Sequence, residues 1–156
     1  MQAVILIGIQ GSGKSTFCQL RFFHTHIRIN LDMLKTRHRE EIICRACLEA
    51  KQPFVIDNTN PTPEDRARYI PIAKQYQFRI IGYYFHCSLS ECQQRNAQRT
   101  GKQKIPPAGI LATHNKLVLP EFQEGFDDLY YVQIDADNSF VVREWDSHQK
   151  AILNQG

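Results

Sequence analysis

Long apolar runs are missing from this 156-residue sequence: none approaches the roughly 18 residues that would suggest a membrane span. The N-terminus passes straight into a strand-like stretch without signal-peptide architecture, so the expected location is the cytoplasm and no membrane is expected among the partners. A dominant charge is missing as well. With 19 Lys and Arg against 16 Asp and Glu, the formal net charge is only +3, which permits an anionic partner without demanding one. Cysteine is sparse and odd in number, with 5 residues: Cys18, Cys44, Cys47, Cys87 and Cys92. Only Cys44 and Cys47 have metal or redox spacing. They fall within an apparent helix, Glu40 to Ala50, with no second ligand cluster, so packed, reduced thiols are expected. No repeat, low-complexity tract or linker divides the chain, and residues 1–156 are expected to form a single domain with a real core.

What is present begins at Gly8. The run Gly8-Ile9-Gln10-Gly11-Ser12-Gly13-Lys14-Ser15 fits G-x-x-x-x-G-K-[ST] and follows the apolar stretch Ala3 to Ile7. Polyphosphate binding needs glycines that let the backbone aim N–H groups at oxygens, a lysine for the β- and γ-phosphates, and a hydroxyl for Mg²⁺. All three are there. Val4 to Ile7 read as a strand buried on both faces, and Thr16 to Leu20 can open a helix whose N-terminus favours anions. Gly8, Gln10, Gly11, Ser12, Gly13, Lys14, Ser15 and Thr16 are therefore the expected residues for a nucleoside triphosphate.

Strand-like runs alternate with helical patterns: Ala3 to Ile9, Ile27 to Ile29, Phe54 to Ile56, Arg79 to Phe85 and Tyr130 to Ile134. The alternation predicts an α/β fold, a five-stranded parallel sheet with helices on both faces. Thr62-Pro63-Glu64-Asp65 and Ser88-Leu89-Ser90-Glu91 mark two helix starts, with helices expected over Pro63 to Gln77 and Leu89 to Arg99. Thr100 to Pro107 is polar, basic and proline-terminated, and reads as a flap over bound phosphates. From Ser139 onward, including Trp145, a terminal helix packed on the sheet is expected.

Phosphoryl transfer needs an in-line nucleophile, neutralised charge and a metal. Asp32, in Ile29-Asn30-Leu31-Asp32, lies at the carboxyl edge of the sheet, where ligands of open α/β folds bind. A carboxylate there can take or orient the proton of an attacking hydroxyl; helix N-capping is the alternative role. Val55-Ile56-Asp57 has the form of a strand whose acid orders water on Mg²⁺, making Ser15 and Asp57 the expected metal residues. Asn58-Thr59-Asn60 follow at the same edge, where a structural and a substrate-binding role both stay open. Arg95 and Arg99 are four apart, share a helix face and can straddle the transferred phosphate. Basic residues cluster in two stretches, Lys35, Arg37 and Arg39, then Arg95, Arg99, Lys102 and Lys104, which suit an anionic substrate; two solvated surface segments are the alternative.

Gly8 to Ser15, Asn30-Leu31-Asp32 with Lys35, Asp57-Asn58-Thr59-Asn60-Pro61 with Arg66, and Arg95 through Arg99 to Ile105-Pro106 resemble the 5′-hydroxyl polynucleotide kinase family, in order and over most of the chain. The resemblance implies a P-loop kinase fold with an arginine-bearing lid, and Mg²⁺ and ATP as cofactors. Its acceptor is the 5′-OH end of RNA or DNA. It implies that Asp32 contacts that hydroxyl, that Lys35 serves the acceptor, that Arg95 and Arg99 serve the lid, and that Lys14 and Ser15 serve phosphate and metal; Asn60 is a further expected substrate-binding residue. Position 35 is typically arginine in that family; lysine keeps the charge but loses the bidentate fork. Phosphatase or ligase modules that often accompany such kinases are expected as separate repair partners. A kinase for a nucleoside, sugar or other metabolite, and a nucleotide-binding regulatory protein without acceptor chemistry, remain the alternatives.

Overall fold

Val4 to Ile7 have no accessible surface, as expected of a strand with neighbours on both sides and helices on both faces. They belong to β1 (Gln2–Ile7), the centre of the computed structural model, which describes residues 1–146 and 153. From β1 the chain runs through α1 (Lys14–Phe22), β2 (Ile27–Ile29), α2 (Leu31–Leu34), α3 (Arg37–Ala50) and β3 (Phe54–Ile56). It continues through α4 (Pro63–Arg66), α5 (Ile70–Gln75), β4 (Arg79–Phe85), α6 (Leu89–Ala97), α7 (Pro107–Lys116), β5 (Asp128–Ile134) and β6 (Phe140–Glu144).

The sheet order is β2-β3-β1-β4-β5-β6, parallel except for β6, which pairs antiparallel with β5. The expected five parallel strands are therefore joined by a sixth, in place of the start of the expected terminal helix. The reason is a hairpin turn at Asp135 to Ser139: the Asp135 N–H donates to Ser139 O, and Asn138 takes a left-handed φ of 64°. Such turns use Asp and Asn because their short polar side chains tolerate that conformation and bond locally. Beyond the hairpin, Trp145 is buried and Leu153 is helical and packs against the same core; the rest of the expected helix lies outside the described residues.

Alternation along β1 divides the core. Ile5 and Ile7 join Ile29, Leu48, Phe54, Ile56 and Ile70 on one face. Val4 and Leu6 join Phe17, Phe22, Val55 and Phe85 on the other. The helix expected over Pro63 to Gln77 is broken into α4 and α5. Pro71 lacks an N–H and its ring would clash with the carbonyl of residue 67, so the first helix stops at Arg66 and the second restarts with Pro71 in its first turn. Both expected helix starts form: Thr62 adds a capping box, with the Asp65 carboxylate returning to the Thr62 N–H, while at Ser88 only the Ser88 Oγ accepts, from the Glu91 N–H at 3.3 Å. Among the described residues no helix is long and apolar enough to cross a membrane.

Cysteine departs from expectation in one pair. Cys87 and Cys92 form a disulfide, while Cys18, Cys44 and Cys47 are free and buried. The short link from β4 into α6 sets the Cys87 and Cys92 Cα atoms 6.1 Å apart, within bridging range. Burial pushes the Cys18 thiol up to about 11 and Cys44 to about 12, so both stay protonated and unreactive near neutrality.

Candidate active site

The loop after β1 sits where strand order reverses, between β3 and β4, the crevice in which open α/β sheets bind ligands. Gly11 and Gly13 have φ of 83° and 96°, and a Cβ on Gly11 would lie 2.6 Å from the Cys92 carbonyl oxygen. Only glycine fits both the conformation and the space. Gly13 precedes α1 with no side-chain cap, leaving the first N–H groups of that helix for an anion. The Gly8 N–H donates to Thr59 O at 3.0 Å, tying the loop to the segment after β3.

Lys14 is buried and folded back on its own loop. Its Nζ donates to Gly8 O at 2.8 Å, to Ile9 O at 2.9 Å and to Ser12 Oγ at 3.4 Å. Burial lowers its pKa to about 8; Asp57 acts against that shift, Arg99 with it and Asp32 against it. All three charged side chains therefore act on the same ammonium. Ser15 Oγ donates to Asp57 Oδ2 at 2.9 Å, which brings together the hydroxyl and carboxylate expected at the metal. These are hard oxygen donors of the kind Mg²⁺ takes, and the described residues hold no cluster of three ligating side chains. An ion there would be held by two protein groups, substrate phosphates and water, as Mg²⁺ commonly is. Thr16 is exposed on α1. Gln10 Nε2 donates to Thr113 Oγ1 at 3.1 Å, coupling the loop to α7, while its Oε1 is the one buried side-chain polar atom without a partner among the described residues.

Asp32 is exposed in the first turn of α2, and Asn30 rather than Asp32 supplies the N-cap, with Oδ1 accepting from the Met33 N–H at 2.9 Å. Asp32 is therefore a first-turn acid of α2 and not its N-cap. Three further bonds fix this turn. Asn30 Nδ2 donates to Asp57 O at 2.6 Å, Asn58 Oδ1 accepts from the Leu31 N–H at 2.8 Å, and Asn58 Nδ2 donates to Glu40 Oε2 at 2.9 Å. Glu40 is buried, and Tyr69 OH and Arg37 Nη1 each donate to its Oε1 at 2.8 Å. Sequence reasoning missed Glu40: its own helix looks solvated, and only the tertiary fold brings Asn58 and Tyr69 to it.

Lys35 does not share a helical face with Asp32. α2 ends at Leu34, Lys35 takes φ 75°, and Thr36 caps the next helix, so three-residue spacing does not translate into a common face. Asn60 is buried and its Nδ2 donates to Leu6 O at 2.7 Å, so its amide donor serves the join between β1 and β3. Arg66 is fully buried. It grips Glu124 with Nε and Nη2 at 2.7 and 3.0 Å, and its Nη1 reaches Asn60 O and Val118 O at 3.0 and 3.1 Å.

Arg95 Nη1 lies 3.3 Å from Gly11 O on the phosphate loop. α6 ends at Ala97 rather than Arg99, but Arg99 stays near enough to act on Lys14. The segment beyond makes a 3₁₀ turn at Gly101–Gln103 and is fastened at its far end by Asn96, which donates to Ile105 O and accepts from the Ile105 N–H at 2.8 Å. Arg28, another residue sequence reasoning missed, donates from Nε to Asp57 Oδ2 at 2.8 Å.

Fold and loop together define a P-loop α/β protein. Residues 4–118 match the family model described as an AAA domain, and the chain belongs to that family. It resembles the bifunctional polynucleotide phosphatase/kinase of Schizosaccharomyces pombe, at 28% identity over 132 residues, 82% of this chain and 32% of that protein. It is also similar to the putative bifunctional polynucleotide phosphatase/kinase of Acanthamoeba polyphaga mimivirus, at 26% identity over 147 residues, 90% of this chain and 35% of that one. The chain spans about a third of the length of these curated relatives. Its fold is that of P-loop kinases. The solved Mycobacterium tuberculosis APS kinase CysC in complex with AMPPNP and APS superposes with a TM-score of 0.54 and 14% identity, over 98% of this chain and 95% of that one.

Proposed function

We propose that the chain is an ATP-dependent kinase that transfers the γ-phosphate to the 5′-hydroxyl end of RNA or DNA. The observation that carries this reading is the Ser15 Oγ–Asp57 Oδ2 bond of 2.9 Å at the start of the helix that follows the phosphate loop, with Arg95 Nη1 on Gly11 O of that loop at 3.3 Å. The names of the two relatives favour a polynucleotide over a small acceptor, while likeness of fold to a metabolite kinase leaves the acceptor open.

The chemistry follows from the positions. Backbone N–H groups of the Gly8 to Ser15 loop hold the β- and γ-phosphates, and Lys14 leaves its carbonyl partners to bridge them. Held by Ser15 and Asp57, Mg²⁺ would neutralise charge on the phosphates. Asp32 orients the acceptor hydroxyl and takes its proton as the oxygen bonds to the γ-phosphorus; the bond to the β–γ bridging oxygen breaks, and ADP leaves. Arg95 and Arg99 offset the charge that migrates to the leaving oxygen.

The test is transfer of label from γ-labelled ATP to 5′-hydroxyl oligonucleotides and to a panel of nucleosides and sugars. Oligonucleotides should be labelled far better, and Asp32→Asn should lower kcat by about 100-fold or more while ATP affinity stays near that of the parent. Equal labelling of free nucleosides or sugars would overturn the polynucleotide acceptor; full turnover with Asn at 32 would overturn the role of Asp32.

A further inference from the structure

The kinase scheme leaves Arg28 unused, although it is bonded to a central group of the site. Arg28 stands on β2, an edge strand, and its Nε donates to the same Asp57 oxygen, Oδ2, that accepts from Ser15 Oγ. The Asp57 side chain is 1% exposed and that of Arg28 is 40% exposed. One carboxylate oxygen offers about two lone-pair directions, and both on Oδ2 are taken. A buried carboxylate also needs compensating charge. Lys14 does not give Asp57 a hydrogen bond, because its ammonium is spent on Gly8 O, Ile9 O and Ser12 Oγ. Arg28 alone among the described residues makes an ion pair with Asp57.

We propose that Arg28 is a built-in counter-ion that competes with the divalent cation for Asp57, so that the cation enters only with the triphosphate. The inference rests on Ser15 and Asp57 being the metal residues. A cation-bound water that donates to Oδ2 needs the lone pair Arg28 holds, and the guanidinium repels the incoming charge. Displaced, Arg28 has room in the cleft it lines with Ser15, Gln19, His26 and Ile27, a volume of about 490 Å³. Among the described residues no acidic side chain lines that cleft, so the guanidinium returns to Asp57 when the cation leaves.

The experiment is a titration of the nucleotide-free protein with Mn²⁺, free Mn²⁺ being followed by its paramagnetic resonance signal, and a repeat with ADP present. Arg28→Gln should bind Mn²⁺ on the order of tenfold more tightly than the parent, the scale of removing one charge from the vicinity of a divalent ion even at near-aqueous screening. Arg28→Lys, which keeps the charge, should stay within about twofold of the parent. The parent-to-variant gap should narrow with ADP, whose phosphates help hold the ion. Arg28→Gln should also melt at a lower temperature without Mn²⁺ and regain more on adding it; Arg28→Met serves if the glutamine variant does not fold. Parent-like or weaker binding by the neutral variants, with binding lost in Asp57→Asn, overturns the counter-ion and leaves the metal site standing. Parent-like binding by Asp57→Asn overturns both.

Discussion

Lys14 carries a cost in the free protein that a triphosphate removes. Its pKa falls from 10.5 to about 8 on folding, with burial as the leading cause. Between those values the unfolded chain holds the proton more tightly, so this residue's contribution makes the folded state more stable as pH rises through that window, and the full penalty applies below about 8. The difference is on the order of 3 kcal/mol. Relative to Lys14→Met, the parent should therefore gain about that amount between pH 7 and pH 10.5 in parallel urea titrations. A constant difference across that range would mean that Lys14 is not held in a desolvated state. Saturating Mg-ATP should abolish the trend.

Arg66 tests a structural role at the same scale. The guanidinium is fully buried and its Glu124 partner is 15% exposed. Removing one member of such a pair leaves an uncompensated charge, and Arg66→Met should cost about 3 to 5 kcal/mol in denaturant unfolding. Replacing both, as Arg66→Met with Glu124→Gln, should cost less than the single change. An equal loss in both would mean that packing of the arginine stem, not charge, is at stake.

At the scale of elements, the lid is anchored more firmly than its composition suggests. Asn96 is buried and bonds Ile105 in both directions across the segment that follows α6. Asn96→Ala should speed tryptic cleavage after Lys104 and lower kcat more than ATP affinity, because Arg99 lies on the same segment; both are read from a digestion time course and steady-state kinetics. Unchanged cleavage would place the lid's order elsewhere. The legible elements were those whose signals are local. The phosphate loop, β1, the helix start at Thr62 and the acid ending β3 each follow from a few adjacent residues. The broken helix was legible too, had Pro71 been set against its partner four residues back, and so was the hairpin, through Asp135-Ala136-Asp137-Asn138 between two apolar runs. Glu40 and Arg28 were not, since their partners lie 18 and 29 residues away, at Asn58 and Asp57. The placement of Lys35 was not legible either, because α2 ends at Leu34 and a left-handed φ of 75° at Lys35 breaks the helical spacing from Asp32.

For the whole molecule, a net charge of +3 is too small to steer an anion by itself, so acceptor binding should depend on local clusters. If the acceptor is a polynucleotide, log KM for it should rise with log salt concentration, with a slope of about 0.7 for each single-strand phosphate contacted. Lys35→Ala should lower that slope by about one contact's worth and leave KM for ATP unchanged. A flat salt response would point to a small acceptor.

The edges of the sheet bear on how the protein behaves at high concentration. β2 is only three residues long and carries Arg28 at its middle, and β6 at the opposite edge ends in exposed Arg143 and Glu144. Short edges that carry charge offer a poor template for another chain to add a strand. Ile27 is 44% exposed beside Arg28, so a neutral, β-branched residue at position 28 would leave an uninterrupted apolar edge from 27 to 29. The charge that sits on Asp57 thus also guards the molecule against self-association through its three-residue edge strand.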